Sequence, residues 1–307
     1  MSQLRDNAAM NRREFFARSI KAGAAVAAAG AFGYWLHDKT GPSRSGQTLE
    51  TVILPDFSVA GNTGKMSIVT GAERVKTVNC ALAALGGIET FVKPGDRVLL
   101  KVNAAFASPP ALSATTHPQL VAEVARLCYK AGASSVLVTD NPINDPVSCF
   151  ALTGIAAGAA SVGAKVLMPQ VNFFKPTTVP QGALIRNWPL LYEPFRGVTK
   201  LIGMAPVKDH FRAGASMSLK NWYGLLGGRR NVFHQNIHDF IKELAMMVRP
   251  TLVILDGTTT MMRNGPTGGS LDDLKQTNTM IVSTDQVAAD AFGATLLGRR
   301  AAELPFI

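Results

Sequence analysis

Apolar positions in the body of this chain switch between two spacings. Between residues 73 and 85 they fall at Val75, Val78, Ala81, Leu82 and Leu85, a helical period, and Gly86-Gly87 marks the stop. A Pro94-Gly95-Asp96 turn then leads into a strand-like run at 97–102. Thr115-Thr116-His117-Pro118 opens the next helix. Thr116 is the expected N-cap, and Pro118 suits the first turn, where its missing N–H loses nothing. That helix buries Leu120, Val121, Val124 and Leu127 and ends near Gly132; a strand at 135–139 follows and closes on Asp140. Strand, helix and strand with short links form a βαβ unit, so a parallel sheet is the expected core.

The same alternation continues. It predicts a short strand at 51–54, a small-residue helix at 150–162 and strands at 165–168, 199–205, 251–255 and 280–283. Helices are expected at 237–248 and 285–297, the second capped by Asp285 and stopped by Gly298. Five prolines and no clear period fill 169–196, which marks a boundary. The expected fold is α/β, a mainly parallel sheet with flanking helices, in two lobes with the site between them. The expected divisions are a leader at 1–38, a Gly/Pro/Ser linker at 39–49, an N-terminal lobe at 50–195 and a C-terminal lobe at 196–307. No internal repeat is evident. The chain stops abruptly after its last helix and is expected to continue beyond Ile307.

Near the start, Asn11-Arg12-Arg13-Glu14-Phe15-Phe16 resembles the twin-arginine export motif, and an Ala/Gly-rich run follows from Ala22 to Leu36. The run is short for a membrane span. No persuasive Ala-x-Ala cleavage site precedes His37, so the segment is expected to remain as an anchor. The expected partner is the twin-arginine export machinery, and the expected place is the periplasm, free or membrane-anchored.

Charge changes this picture little. The net charge is +10, and the first 39 residues hold six basic and three acidic side chains, leaving about +7 for the body. No basic run with interleaved aromatics occurs there, so nucleic acid is not an expected partner. Cys80, Cys128 and Cys149 form no Cys-x-x-Cys pair, which argues against an iron–sulfur cluster held by this chain. They are read as small buried hydrophobes, with one disulfide as the alternative. The absence of Gly-x-Gly-x-x-Gly disfavours NAD.

Chemistry concentrates between Lys208 and His238, which hold three of the five histidines. Ligands of open α/β sheets sit beyond the carboxyl ends of strands. Asn103, Asp140-Asn141, Asp209-His210 and Asp256 all follow strands, and His117 lies on a further connection. These residues are expected to converge on a pocket for a small molecule. Gly214 and Ser216 imply a tight loop between His210 and Lys220. His210 and His117 are candidates for proton transfer, and Lys220 for a nucleophile or covalent tether. Asn221 belongs to the same segment. His234 and His238, four apart, could share a helix face and hold a metal. The glycines before Arg229-Arg230 could cradle an anion. A non-catalytic metal- or anion-binding protein using His234, His238, Arg229 and Arg230 is therefore the alternative to an enzyme.

Two resemblances follow. Ala114-Thr115-Thr116-His117-Pro118, Asp209-His210-Phe211 with Gly214, Ser216 and Ser218-Leu219-Lys220-Asn221, then Asp256-Gly257, Asn264-Gly265-Pro266 and Asp285 with Asp290 resemble the bacterial family called domain of unknown function 362. More distantly, His210, Ala213-Gly214, Ser216 and Lys220 are similar to the cofactor segment of the nickel-pincer lactate racemase family. That resemblance implies Lys220 as the tether of a nickel-bearing pincer, His210 and His117 as acid and base around a hydride transfer, and His234, or else His238, as the nickel ligand. The racemases carry an Asp and an Arg-Pro after an early strand; this chain has Asn103-Ala104-Ala105-Phe106-Ala107-Ser108-Pro109 there. The implied activity is racemase- or epimerase-like, or a hydride transfer, on a small organic acid.

Overall fold

The structure, a computed structural model, describes residues 11–35 and 51–307. The expected linker at 39–49 lies outside the described residues. The chain falls into two units, divided between Ser43 and Arg44. In the first, α1 (Arg12–Trp35) exposes every residue. Among the described residues no helix is long and apolar enough to cross a membrane.

The second unit runs β1 (Met66–Thr70), α2 (Arg74–Ala84), β2 (Arg97–Lys101), α3 (Pro118–Lys130), β3 (Ser135–Thr139), α4 (Pro146–Leu152), α5 (Ile155–Ala160), β4 (Lys165–Val166), β5 (Phe174–Thr177) and β6 (Trp188–Leu191). It continues with β7 (Lys200–His210), β8 (Gly214–Ser216), α6 (Ser218–Asn221), α7 (Ile237–Met247), β9 (Leu252–Met261), β10 (Leu274–Ser283) and α8 (Gln286–Leu296). The sheet order is β1-β10-β9-β7-β2-β3-β4, with β8 folded back on β7. Strands β9, β7, β2, β3 and β4 are parallel; β1, β10 and β8 join antiparallel. The fold is α/β with a mainly parallel sheet, and its buried strands carry apolar residues on both faces, as parallel sheets require.

Those faces make two cores. Leu99, Leu201, Val253 and Ile281 pack with Phe240, Ile241 and Leu244 of α7 and Ala289 and Ala294 of α8. On the other face Val98, Leu100, Ile202 and Ile254 pack with Val78 and Leu82 of α2 and Leu120, Val121 and Val124 of α3. The helical periods read from the sequence supply these contacts.

Several expectations need correction. Residues 51–54 form no strand; Val52 makes one isolated bridge to Thr177. The helix expected at 150–162 is two, α4 and α5, parted by Gly154 at φ +71°. The α3 cap is His117, whose Nδ1 accepts from the Gln119 N–H; Thr116 instead bridges β2 and β7, accepting from Asn103 N and donating to Met204 O. The two-lobe division at 195/196 gives way to one shared sheet, because β7 pairs directly with β2, Val98 opposite Lys200 and Lys101 opposite Gly203. An apolar strand placed beside another gains a full ladder of backbone bonds, and the proline-rich 169–196 segment, with its β5–β6 hairpin, only bridges that pairing.

Gly203 sits where Trp222 covers β7; a Cβ there would lie 2.5 Å from the indole ring. Trp222 is fully buried and has no room to retreat. Gly203→Ala should cost about 1–3 kcal/mol through overpacking, read as a lowered urea midpoint with an unchanged slope; an unchanged midpoint would refute the packing account.

Candidate functional site

The site begins with strand alternation. Side chains two apart point the same way, so Lys208 and His210 leave one side of β7 together. Gly214, at φ +78°, closes the turn, and β8 returns antiparallel with Ser216 opposite Lys208 and Gly214 opposite His210. The chain then enters α6, a single turn that carries Lys220 and Asn221.

A buried carboxylate fixes that turn. Asp290 of α8 accepts from Ser218 N at 2.8 Å and Leu219 N at 3.1 Å, and from the Ser218 hydroxyl. Its burial pushes its pKa up to about 7, while the Ser218 and Leu219 hydrogen bonds pull the other way. Beneath the turn, the buried Lys101 pairs with Asp140 at 2.8 Å and donates to Val102 O and Asn221 O. Gly224 passes so close to this pair that a Cβ would lie 2.0 Å from Asp140 Oδ1.

These elements enclose a cavity of ≈ 510 Å³ whose walls include Asn103, Asp140, Asn141, Lys208, His210, Arg212, Ser216, Lys220, Asn221, Tyr223 and His234. Among the described residues Asp140 is the one carboxylate of the wall, and Lys101 is paired with it. Lys208 Nζ donates to Ala114 O and Pro266 O and lies 5.1 Å from the Phe106 ring centroid. Lys220 Nζ lies 4.8 Å from the Tyr223 ring centroid and has no hydrogen-bond or ion-pair partner among the described residues. Burial brings both lysines down to about 7; Lys220 further lowers Lys208, and Arg230 further lowers Lys220.

The two cavity histidines stack, with centroids 5.8 Å apart and planes 11° off parallel. Their hydrogen bonds assign opposite tautomers. His210 Nδ1 accepts from Arg212 N and Ala213 N, each at 3.2 Å, so its proton sits on Nε2. His234 Nδ1 meets Asn231 O at 3.2 Å and Tyr223 Oη at 3.0 Å. A carbonyl only accepts, and the Tyr223 proton goes to Arg230 O at 2.5 Å. His234 therefore donates from Nδ1 and keeps a free lone pair on Nε2. Burial, then Lys220, lowers both histidines, and both are neutral near pH 7.

The remaining expected residues lie elsewhere. His117 is not a wall residue; it stands half-buried near the Arg74–Asp256 ion pair, and burial with Arg74 lowers it to about 4. Asp209 pairs with Arg299. His238 is outside the cavity too, stacked on Phe306 at 5.9 Å. His234 belongs to a 3₁₀ segment and His238 to α7, so the two do not share the helix face that their spacing suggested. Among the described residues no three His, Cys, Asp or Glu side chains gather as a metal site. Arg229 is exposed, and Arg230 is bound to the carbonyls of Tyr223, Leu226, Asn141 and Pro142, a brace for the loop. All three cysteines are free; Cys128 and Cys149 are buried and Cys80 is exposed. Lys208, Arg212 and Tyr223 escaped the sequence reading of single residues. The period-two step from Lys208 to His210 was the available signal.

A half-buried amine whose proton is held less firmly in the folded protein makes stability depend on pH. Between about 7 and the ordinary value of 10.5, the unfolded chain holds a proton on Lys220 that the folded protein does not. Stability should therefore rise with pH across that window and fall as pH drops toward 7. Urea melts from pH 7 to 10 should show a smaller rise for Lys220→Met than for wild type; equal slopes would refute the assignment.

The family model described as domain of unknown function (DUF362) matches residues 98–295. A thylakoid-associated protein of Synechocystis sp. is 27% identical over 234 residues, covering 73% of this chain and 70% of that protein. The lactate racemase apoprotein from Thermoanaerobacterium thermosaccharolyticum superposes with a TM-score of 0.41 at 13% identity. That alignment covers 79% of this chain and spans only 58% of the racemase.

Proposed function

The chain belongs to the DUF362 family, and from that premise we propose that its cavity binds a small organic acid and moves a proton on it, as a racemase or epimerase does. One observation carries this reading: two stacked neutral histidines in opposite tautomers, set among cations that outnumber the carboxylates of the wall. His234 Nε2 is the proton acceptor. His210 Nε2–H is a hydrogen-bond donor, because its Nδ1 faces two backbone N–H groups and cannot take up a second proton. Lys208 and Arg212 hold the carboxylate, and charge that develops on the substrate is stabilised by the same groups. The hydride-transfer form of this reading needs a group that the chain does not itself supply. Lys220 and His234, both facing the cavity, would hold a lysine-tethered metal group, which would supply the hydride acceptor.

The test is solvent exchange. In D2O, protein supplied with small 2-hydroxy and 2-amino acids should wash deuterium into the carbon next to the carboxylate of one of them, followed by NMR. His234→Gln should slow the wash-in by about 10²–10⁴-fold while leaving acid binding by calorimetry within a few-fold. Binding without exchange in the wild type would sink the catalytic half; no binding of any acid would sink the whole reading.

We further read the chain as exported by the twin-arginine machinery, on the strength of Arg12-Arg13, Phe15-Phe16 and the alanine-rich run. A fusion of residues 1–50 to a reporter that folds before export should reach the periplasm, and Arg12→Lys/Arg13→Lys should hold it in the cytoplasm. Equal export of both fusions would refute the assignment.

A further inference from the structure

Three lysines meet at this end of the sheet, Lys101 and Lys208 buried and Lys220 half-buried, and their surroundings differ. Lys101 has a carboxylate partner and two carbonyls, and Lys208 has two carbonyls. Lys220 has only the face of Tyr223 and the open cavity. An amine with acceptors is held in place by them. One without acceptors, out of bulk water, releases its proton and becomes a nucleophile. Nothing in the proton-transfer reading uses that amine as a nucleophile.

We propose that Lys220 forms an imine with the carbonyl group of a small 2-oxo acid whose carboxylate rests against Lys208 and Arg212. This deepens the organic-acid reading of the same cavity and rests on it. The neutral amine adds to the carbonyl carbon and a C–N bond forms. The nitrogen gives up two protons in turn, the former carbonyl oxygen gains two and leaves as water, and the C=N bond closes. No oxidant or reductant is involved. His234 Nε2 is the wall atom able to carry those protons, and His210 Nε2–H is the donor available to the departing oxygen. Asp290 acts at one remove as a positioning residue, because it holds the turn that presents the amine.

Full-length protein from its native host is incubated with pyruvate and cyanoborohydride, and the intact mass and peptide map are recorded. The expected result is a single reduced adduct on Lys220, absent from Lys220→Arg. Acetaldehyde, a carbonyl without a carboxylate, should label that site about tenfold or more slowly. If Lys220→Arg fails to fold, the wild-type peptide map and the acetaldehyde comparison still decide. Adducts spread evenly over exposed lysines overturn the proposal, as does a group already attached to Lys220 before pyruvate is added. Melting temperature separates the two levels of argument. A pyruvate-induced rise with no adduct overturns the imine and leaves acid binding standing; no rise and no adduct overturns both.

Discussion

The constraint on which this structure turns is the burial of positive charge. Lys101 and Lys208 are taken out of water and Lys220 is half-buried at one end of one sheet, and the cavity between them offers, among the described residues, a single carboxylate. Charge in a low-dielectric site must be paired, bonded or given up. Each lysine is placed differently: Lys101 is paired, Lys208 is bonded to carbonyls, and Lys220 has no acceptor among the described residues. The cavity thus joins an amine tied to two carbonyls and an amine without an acceptor, separated in sequence by twelve residues and joined in space by the β7–β8 return.

Much of this was legible in the chain. Helical periods at Val78 to Leu82 and Leu120 to Leu127 located α2 and α3, and the βαβ unit gave the parallel sheet. Asn103, Asp140, Asn141 and His210 were expected beyond strand ends and Lys220 after the loop that follows His210, and all five reach one cavity. What escaped has physical causes. Asp256 lies within β9 and His117 at the start of α3, and they meet Arg74, contributed by a helix whose placement no local pattern reveals. His234 and His238 have α-helical spacing, yet the helix begins between them at Ile237. Arg229 and Arg230 look equivalent in sequence, and only tertiary carbonyls make one a brace and leave the other in solvent.

The histidines show how hydrogen bonds, more than residue identity, decide a chemical role. His210 and His234 are the same side chain in one cavity, 5.8 Å apart. Two backbone N–H groups make one a donor at Nε2, and one carbonyl with a spoken-for tyrosine hydroxyl makes the other an acceptor. A sequence lists both as histidine. The turn at Gly214, which brings the Ala213 N–H under His210, and the loop that sets Asn231 beside His234 carry the distinction.

The cap on α6 has a consequence for synthesis. Ser218 and Leu219 wait for a carboxylate that lies 72 and 71 positions further along the chain. On a ribosome, the hairpin that bears Lys208, His210 and Ser216 is complete long before Asp290 emerges. The reactive amine is therefore among the last features of this protein to come into register. A growing or truncated chain displays the lysine without the setting that makes it reactive, so its chemistry is reserved for the finished molecule.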